Sequence, residues 1–260
     1  MFCEVITSVK NPKVKKLLAL QQKSSERRES GLFVVEGRRE LQHCIEAGYE
    51  IDTVFVLADT SCGVAVSART YQVSRDVYEK IAYRGSTEGI IAEVKARDIT
   101  LDELKVRENP LIAVLESVEK PGNLGAVLRS ADAAGVDAVI VCDPLTDLYN
   151  PNLIRASIGG VFSVPCVACT SDEAINWLKT NNIQILTAQL QDSSLYYDTD
   201  MSGGTAIVMG TEATGLTDIW RKAADAHIRI PMLGRLDSLN VSVSAAILLY
   251  EAVRQRSASR

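Results

Sequence analysis

Three short stretches of this 260-residue chain carry side chains suited to binding and orienting a polar ligand. Asn123 and Arg129 lie in NLGAVLRSADAAG, Gly210 and Glu212 in IVMGTEATGL, and Ser238, Leu239 and Asn240 in a polar bend between an apolar strand and an apolar helix. In the first stretch Leu124, Val127, Leu128 and Ala131 form a buried stripe, while Gly125, Arg129 and Asp132 share the opposite face at i, i+4 and i+7. The plain reading of Arg129 is a surface pair with Asp132. The functional one is that Gly125 bares the backbone one turn below the guanidinium, making room for something flat or anionic. In the second stretch an apolar strand runs directly into Gly210, Thr211 and Glu212, and open α/β sheets bind ligands at strand carboxyl ends. Gly210 admits close backbone approach and Glu212 sets an acceptor at the strand tip; the alternative is an ordinary turn with a solvated Glu. In the third, a hydroxyl, an apolar side chain and an amide crowd one elbow, which by itself reads as a capped core helix.

The elements that must hold these residues follow from periodicity. Strands are expected at Leu111–Leu115, Ala138–Val141, Ile183–Thr187, Ala206–Met209 and Ile228–Ile230, alternating with helices, which implies a mostly parallel sheet. Asn123 is placed to cap the first of these helices and Gly135 to end it. The last helix, with Val241, Ala245, Leu248, Leu249 and Ala252 at helical spacing, starts at Asn240 or Ser242. Upstream, Asn11-Pro12 opens a helix to about Gln22, and a polar stretch, KSSERRESG, follows it. The elements after that are a strand Leu32–Val35, a helix Arg38–Ala47, a strand Asp52–Leu57, a strand ending at Val73, a helix capped by Ser74, and a strand Gly89–Val94. The resulting division is an N-terminal α/β domain over 1–97, a charged linker over 98–110 and a second α/β domain over 111–260.

Composition narrows the class. The net charge of −5 argues against a protein that coats nucleic acid non-specifically, although residues 1–40 carry nine Lys and Arg against five Glu. That basic run reads equally as a solvated helix face or a phosphate-contacting surface. No apolar run approaches the roughly 20 residues a membrane helix needs, and the N-terminus lacks the pattern of a signal peptide. A cytoplasmic protein is the expectation. Of six cysteines only Cys166 and Cys169 form a C-x-x-C, with no second pair and only two histidines in the chain, so buried thiols are expected and no metal. The sixteen glycines include no G-x-G and no phosphate-binding G-x-x-x-x-G-K-[ST], which argues against dinucleotide binders and P-loop NTPases.

Taken together, NLGAVLRSADAAG, IVMGTEATGL and IPMLGRLDSLNVSVSAAILLYE resemble, in order and spacing, the three motifs of the SpoU/TrmH family of RNA ribose 2′-O-methyltransferases, within the SPOUT class. NPNLIRASIGGVF resembles the family's stretch between the first two motifs. The segments VKNPKVKKLLAL and GLFVVEGRREL resemble the substrate-binding domain of its ribosomal-RNA members. One departure is Thr211, where the family often has Asn or Ser. The resemblance implies a C-terminal trefoil-knotted SPOUT domain with a mostly parallel sheet, a small N-terminal α/β RNA substrate-binding domain, and a homodimer. It implies S-adenosylmethionine as cofactor, held at Ala188, Gly210, Ile230, Met232 and Leu239. It also implies catalytic or nucleotide-facing roles for Asn123, Arg129, Glu212, Ser238 and Asn240, with ribosomal RNA favoured over transfer RNA. A non-catalytic ribosome-assembly factor on the same fold, a transfer-RNA enzyme and an antibiotic-resistance enzyme remain as alternatives.

Overall fold

The computed structural model describes residues 5–61, 63–64, 67–83, 88–211 and 214–258. The chain folds as two compact units, one of residues 1–97 with 147–163 and one of 98–146 with 164–260.

The first unit begins with β1 (Val5–Ile6) and α1 (Pro12–Gln22), where the Asn11 side chain accepts from the Lys13 N–H and Pro12 supplies the first helical position. The polar stretch after α1 is itself a helix, α2 (Ser24–Ser30), ended by Gly31 in the left-handed region. Its inward residue is Arg27, only 5% exposed, which donates to the Leu20 carbonyl and pairs with Asp147. There follow β2 (Leu32–Glu36), α3 (Arg38–Glu46), β3 (Ile51–Leu57), β4 (Arg69–Val73), α4 (Arg75–Ile81), capped by the Ser74 hydroxyl, and β5 (Ile90–Lys95). The sheet order is β1-β4-β3-β5-β2, parallel through its first two pairings and antiparallel through the other two. Val14, Leu17 and Leu20 of α1 and Val77 and Ile81 of α4 pack with Val34, Phe55 and Ile91 of the strands.

In the second unit, residues 98–110 do not hang free. Thr100 and Glu103 cap a 3₁₀ turn reciprocally. Leu101, Leu104 and Val106 then pack against that unit's core, and Arg107 grips both Asp137 carboxylate oxygens through its Nε and Nη2. Next come β6 (Leu111–Glu116), α5 (Pro121–Ala134) and β7 (Ala138–Cys142). The chain then rejoins the first unit for α6 (Pro151–Ala156) and α7 (Gly160–Ser163). The reason is aromatic: Tyr149 stacks on Phe33 of β2 at 4.3 Å between ring centroids, and Phe162 lies against Phe33 and Tyr49.

The second unit continues with β8 (Cys166–Cys169), α8 (Ser171–Thr180), β9 (Gln184–Ala188), β10 (Ser194–Leu195), β11 (Thr205–Met209), α9 (Asp218–Ala223), β12 (Ala226–Arg229) and α10 (Val241–Ala258). Its sheet runs β10-β12-β9-β11-β6-β7-β8 with every pairing parallel. Residues of α8 and α9, among them Leu178 and Trp220, cover one face with Ile112, Val114, Ile140 and Val208. The helices α5 and α10 pack on each other, and α10 lies against β6 and β11. All five α10 positions expected inside, Val241, Ala245, Leu248, Leu249 and Ala252, are buried. Arg256 closes the helix by donating to the carbonyls of Asn109, Pro110, Met201 and Gly203. Among the described residues no helix is long and apolar enough to cross a membrane.

Two local expectations are corrected. The helix α5 starts at Pro121 after Lys120, so Asn123 sits in its first turn and does not cap it, because proline's fixed φ begins the helix earlier. Gly125 is buried, not part of an open face with Arg129, which is exposed. As for the thiols, Cys142 is buried while Cys166 and Cys169 are half-buried, and Cys169 lies opposite Cys142 on the β7–β8 ladder. Cys3 and Cys62 lie outside the described residues.

Candidate functional site at the strand carboxyl ends

The strand order brings distant segments together. Ala188 ends β9, Gly210 follows β11 and Ile230 follows β12, and these strands are neighbours in the order β12-β9-β11. Three residues widely separated in sequence therefore share one rim, on the side of the sheet where β6 also ends in Glu116. The chain goes from β6 to β7 and β8 in one direction and lays its later strands on the other side of β6. Direction thus reverses next to β11, the place where open parallel sheets form a ligand crevice. Opposite His227 of β12, Thr187 of β9 shares a 2.6 Å hydrogen bond with the imidazole Nδ1 and fixes the two strands in register just before their ends.

Gly210 is demanded by the chain itself. A Cβ there would stand 2.3 Å from the Gly215 carbonyl carbon and oxygen and 2.5 Å from the Leu216 nitrogen. Thr211 and Gly215 exchange backbone hydrogen bonds, and the Thr211 hydroxyl accepts from the Thr214 N–H and bonds its hydroxyl, so the loop folds back onto the glycine. The close approach expected at Gly210 is thus made by the protein's own backbone. Glu212 lies outside the described residues. The far side of the loop is fastened by Glu116, 3% exposed, whose carboxylate accepts from the Thr217 N–H at 2.8 Å and its hydroxyl at 2.5 Å. Sequence reasoning passed over Glu116; its signal was a carboxylate closing an otherwise unbroken apolar strand, LIAVLE.

The third stretch arrives from the other helix layer. Asn240 caps α10: its Oδ1 accepts from the Ser242 N–H at 3.0 Å and the Ser242 hydroxyl at 2.6 Å. Its Nδ2 donates to Asn123 Oδ1 at 3.2 Å, tying the start of α10 to the first turn of α5. Between Pro231 and Asn240 the chain is irregular, with Met232 half-buried and Leu233, Leu236 and Leu239 at 97%, 76% and 37% exposure. So much uncovered apolar surface beside a polar bend is an invitation to a ligand. Ser238 is exposed, its hydroxyl on Asp237. Arg129 stands apart: six residues beyond Asn123, it is about 9 Å farther along the helix axis. Among the described residues it makes no hydrogen bond or ion pair with the other candidates. The structure thus joins Ala188, Gly210 and Ile230, and joins Asn123 to Asn240, but leaves Arg129 on the open side of α5. Among the described residues no three His, Cys, Asp or Glu side chains are grouped to hold a metal ion.

Such a rim, with backbone polar groups at three strand ends and exposed leucines nearby, can hold a flat heterocycle and present a second substrate to it. Comparison with known proteins gives the same direction. Residues 110–250 match the SpoU rRNA Methylase family, and residues 11–92 match the MRM3-like substrate binding domain. A 23S rRNA (uridine(2479)-2′-O)-methyltransferase from Streptomyces viridochromogenes is 30% identical over 98% of this chain and 93% of its own. A crystal structure described as an RNA 2′-O ribose methyltransferase is 40% identical, with a TM-score of 0.85 over 97% of this chain and 99% of its own. An AdoMet-bound rRNA methyltransferase from Sinorhizobium meliloti is 30% identical, with a TM-score of 0.88 over 96% and 97%.

Proposed function

The chain belongs to the SpoU rRNA methylase family, and from that premise we propose that it methylates a ribose 2′-hydroxyl of 23S ribosomal RNA with S-adenosylmethionine as donor. It is an S-adenosylmethionine-dependent RNA 2′-O-methyltransferase. The observation that carries the reading at the level of residues is the meeting of Ala188, Gly210 and Ile230 on neighbouring strand ends. The rim fits the cofactor. Strand-end backbone offers donors and acceptors for adenine and ribose, and half-buried Ile230 and Met232 with exposed Leu239 offer apolar walls. The knotted path of the family and a cytoplasmic location, where ribosomal RNA is modified, are part of the same proposal.

When bound, the cofactor supplies a methyl group already activated by its sulfonium, so the chain has to orient a ribose oxygen in line and dispose of one proton. Asn123, Ser238 and Asn240, together with Glu212, hold the target nucleotide. Arg129 binds its phosphate and lowers the pKa of the 2′-hydroxyl. A guanidinium stays protonated at any ordinary pH, so its charge, and not its basicity, is what it lends. The test is transfer of labelled methyl groups to unmodified 23S rRNA and, in parallel, transfer RNA. Label is expected in 23S rRNA at ribose positions that resist alkaline cleavage. Label in a base, label in transfer RNA alone, or no heat of S-adenosylmethionine binding would each overturn the reading.

We further infer a homodimer. On the side of α10 away from its buried stripe, Val243 and Tyr250 are 46% and 49% exposed with Ile247 half-buried between them, an apolar strip at i, i+4 and i+7. The position of Arg129 on the open side of α5 suits a site completed by a second copy. Light scattering at micromolar concentration is expected to give twice the chain mass, and Tyr250→Glu to give the single-chain mass; a monomeric wild type sinks the inference.

A further inference from the structure

The first unit contains a cavity of about 290 Å³ that the methyl-transfer site does not use. It opens where β2 turns into α3, and α6 and Tyr83 close it. Its lining joins apolar Val34, Pro151 and Ile154 to Tyr83 and the charged Glu36, Arg39, Glu40, Glu88 and Arg155. Gly37, at φ +95, makes the corner, a left-handed backbone conformation that a side chain would strain. Tyr83 is 44% exposed, and Asn152 donates to its hydroxyl.

Glu36 is the distinctive group. Among the described residues its carboxylate accepts only from the Gln21 amide at 2.8 Å and from the Tyr83 N–H at 3.1 and 3.2 Å, short of the roughly four acceptor sites a carboxylate offers. Burial pushes its pKa up to about 7, against the Tyr83 N–H, the Gln21 amide and the Arg155 charge that pull the other way. Such a carboxylate gains from a ligand that brings further N–H donors. A cavity near the lower end of ligand-pocket sizes, about 300 Å³, suits a single nucleotide. Proteins that read RNA by sequence take unstacked bases, lay them on aromatic or guanidinium planes and bond their Watson–Crick edges. Of the four bases only guanine presents two adjacent donors there, N1–H and the 2-amino group. Adenine and cytosine would turn a ring-nitrogen lone pair toward the carboxylate, and uracil flanks its one N–H with carbonyls.

We propose that this cavity receives one unstacked guanine nucleotide of the RNA substrate, its Watson–Crick edge donating to Glu36 and its phosphate lying against Arg155. The proposal rests on the reading of the chain as an RNA-modifying enzyme and adds to it a base-selective site in the first unit.

Binding of the trinucleotides UGU, UIU and UAU, and of GMP, to the full chain tests it. UGU is expected to bind about tenfold more tightly than UAU, the discrimination a good bidentate base contact provides, with UIU, which lacks the 2-amino group, between them. Glu36→Gln is expected to abolish the preference while leaving S-adenosylmethionine affinity unchanged. It is not expected to unfold the chain. A carboxyl raised in the folded state loses stability as pH rises through about 7, so removing the charge should raise the melting temperature at pH 8 and leave it unchanged near pH 4. Arg155→Gln, at an exposed position, should weaken UGU severalfold and flatten the salt dependence. Equal affinity for UGU and UAU, or a preference surviving in Glu36→Gln, would overturn the proposal; GMP binding as tightly as UGU would make it a free-nucleotide site and overturn the RNA assignment. If the wild type methylates 23S rRNA but shows no guanine preference, only the cavity proposal fails. If it methylates no RNA, the function itself does.

Discussion

Arg129→Ala is expected to lower methyl transfer by about 10²–10³-fold, the usual cost of removing one preorganised group that stabilises transition-state charge, while S-adenosylmethionine affinity stays within about twofold. The expectation rests on where the side chain stands. The buried stripe of α5, Leu124, Val127, Leu128 and Ala131, faces inward, and Arg129 is exposed. Alanine is the better helix former, and exposed positions of this kind shift stability by no more than about 0.5 kcal/mol. A large loss of activity therefore cannot be blamed on folding. Nor does Arg129 belong to the strand-end rim, so cofactor binding has no reason to change. Arg129→Lys separates the two contributions a guanidinium makes: charge survives, while the planar fork that can hold two phosphate oxygens at once does not. Recovery of most activity in the lysine variant would assign the role to charge alone. Single-turnover transfer of labelled methyl groups and calorimetry on the same preparations give both readouts, and full activity in the alanine variant would sink the assignment.

The elements of the second unit were legible because its strands are unbroken apolar runs and its helices carry clear stripes; the five strands expected there all form, with ends moved by a residue or two. What periodicity could not give was their order. That β11 lies between β6 and β9, and β12 beyond β9, is a fact about long-range pairing, and it is this order that sets Ala188, Gly210 and Ile230 side by side. Family resemblance named those residues, whereas the spacing alone named only Gly210. Two charged or polar segments carry structure that their composition does not announce. α2 reads as a polar stretch in sequence because its inward residue is Arg27, whose burial is made tolerable by a backbone carbonyl and Asp147. Residues 98–110 have few apolar residues, the composition of a linker, and Leu101, Leu104 and Val106 pack, partly buried, against the core. The stretch 147–163 joins the first unit through Tyr149 and Phe162, aromatic contacts to Phe33 more than a hundred residues earlier, which no local pattern announces.

Gly210→Ala is expected to reduce S-adenosylmethionine affinity at least about tenfold and to lower stability by about 1–3 kcal/mol, the cost of overpacking a closed site. The added methyl would fall 2.3 Å from the carbonyl carbon and oxygen of Gly215 and 2.5 Å from the Leu216 nitrogen. Those are backbone atoms, so no side-chain rotation relieves the contact. Nor is the opposing segment free to withdraw. Leu216 is 4% exposed in the core that holds Trp220, Thr217 is held by Glu116 through two hydrogen bonds, and Gly215 is laddered to Thr211. Strain must then go either into the loop after β11 or into β11 itself, and in both cases the strand-end backbone proposed to hold the cofactor moves. Gly203→Ala is the matched control, since a Cβ there meets nothing within 4 Å. Melting temperature and calorimetric affinity, measured together, divide the effect. A drop in both matches a displaced rim. Unchanged affinity in a destabilised variant would mean that the rim beside Gly210 does not hold the cofactor, and wild-type behaviour in both would show that the loop yields where its hydrogen bonds say it cannot.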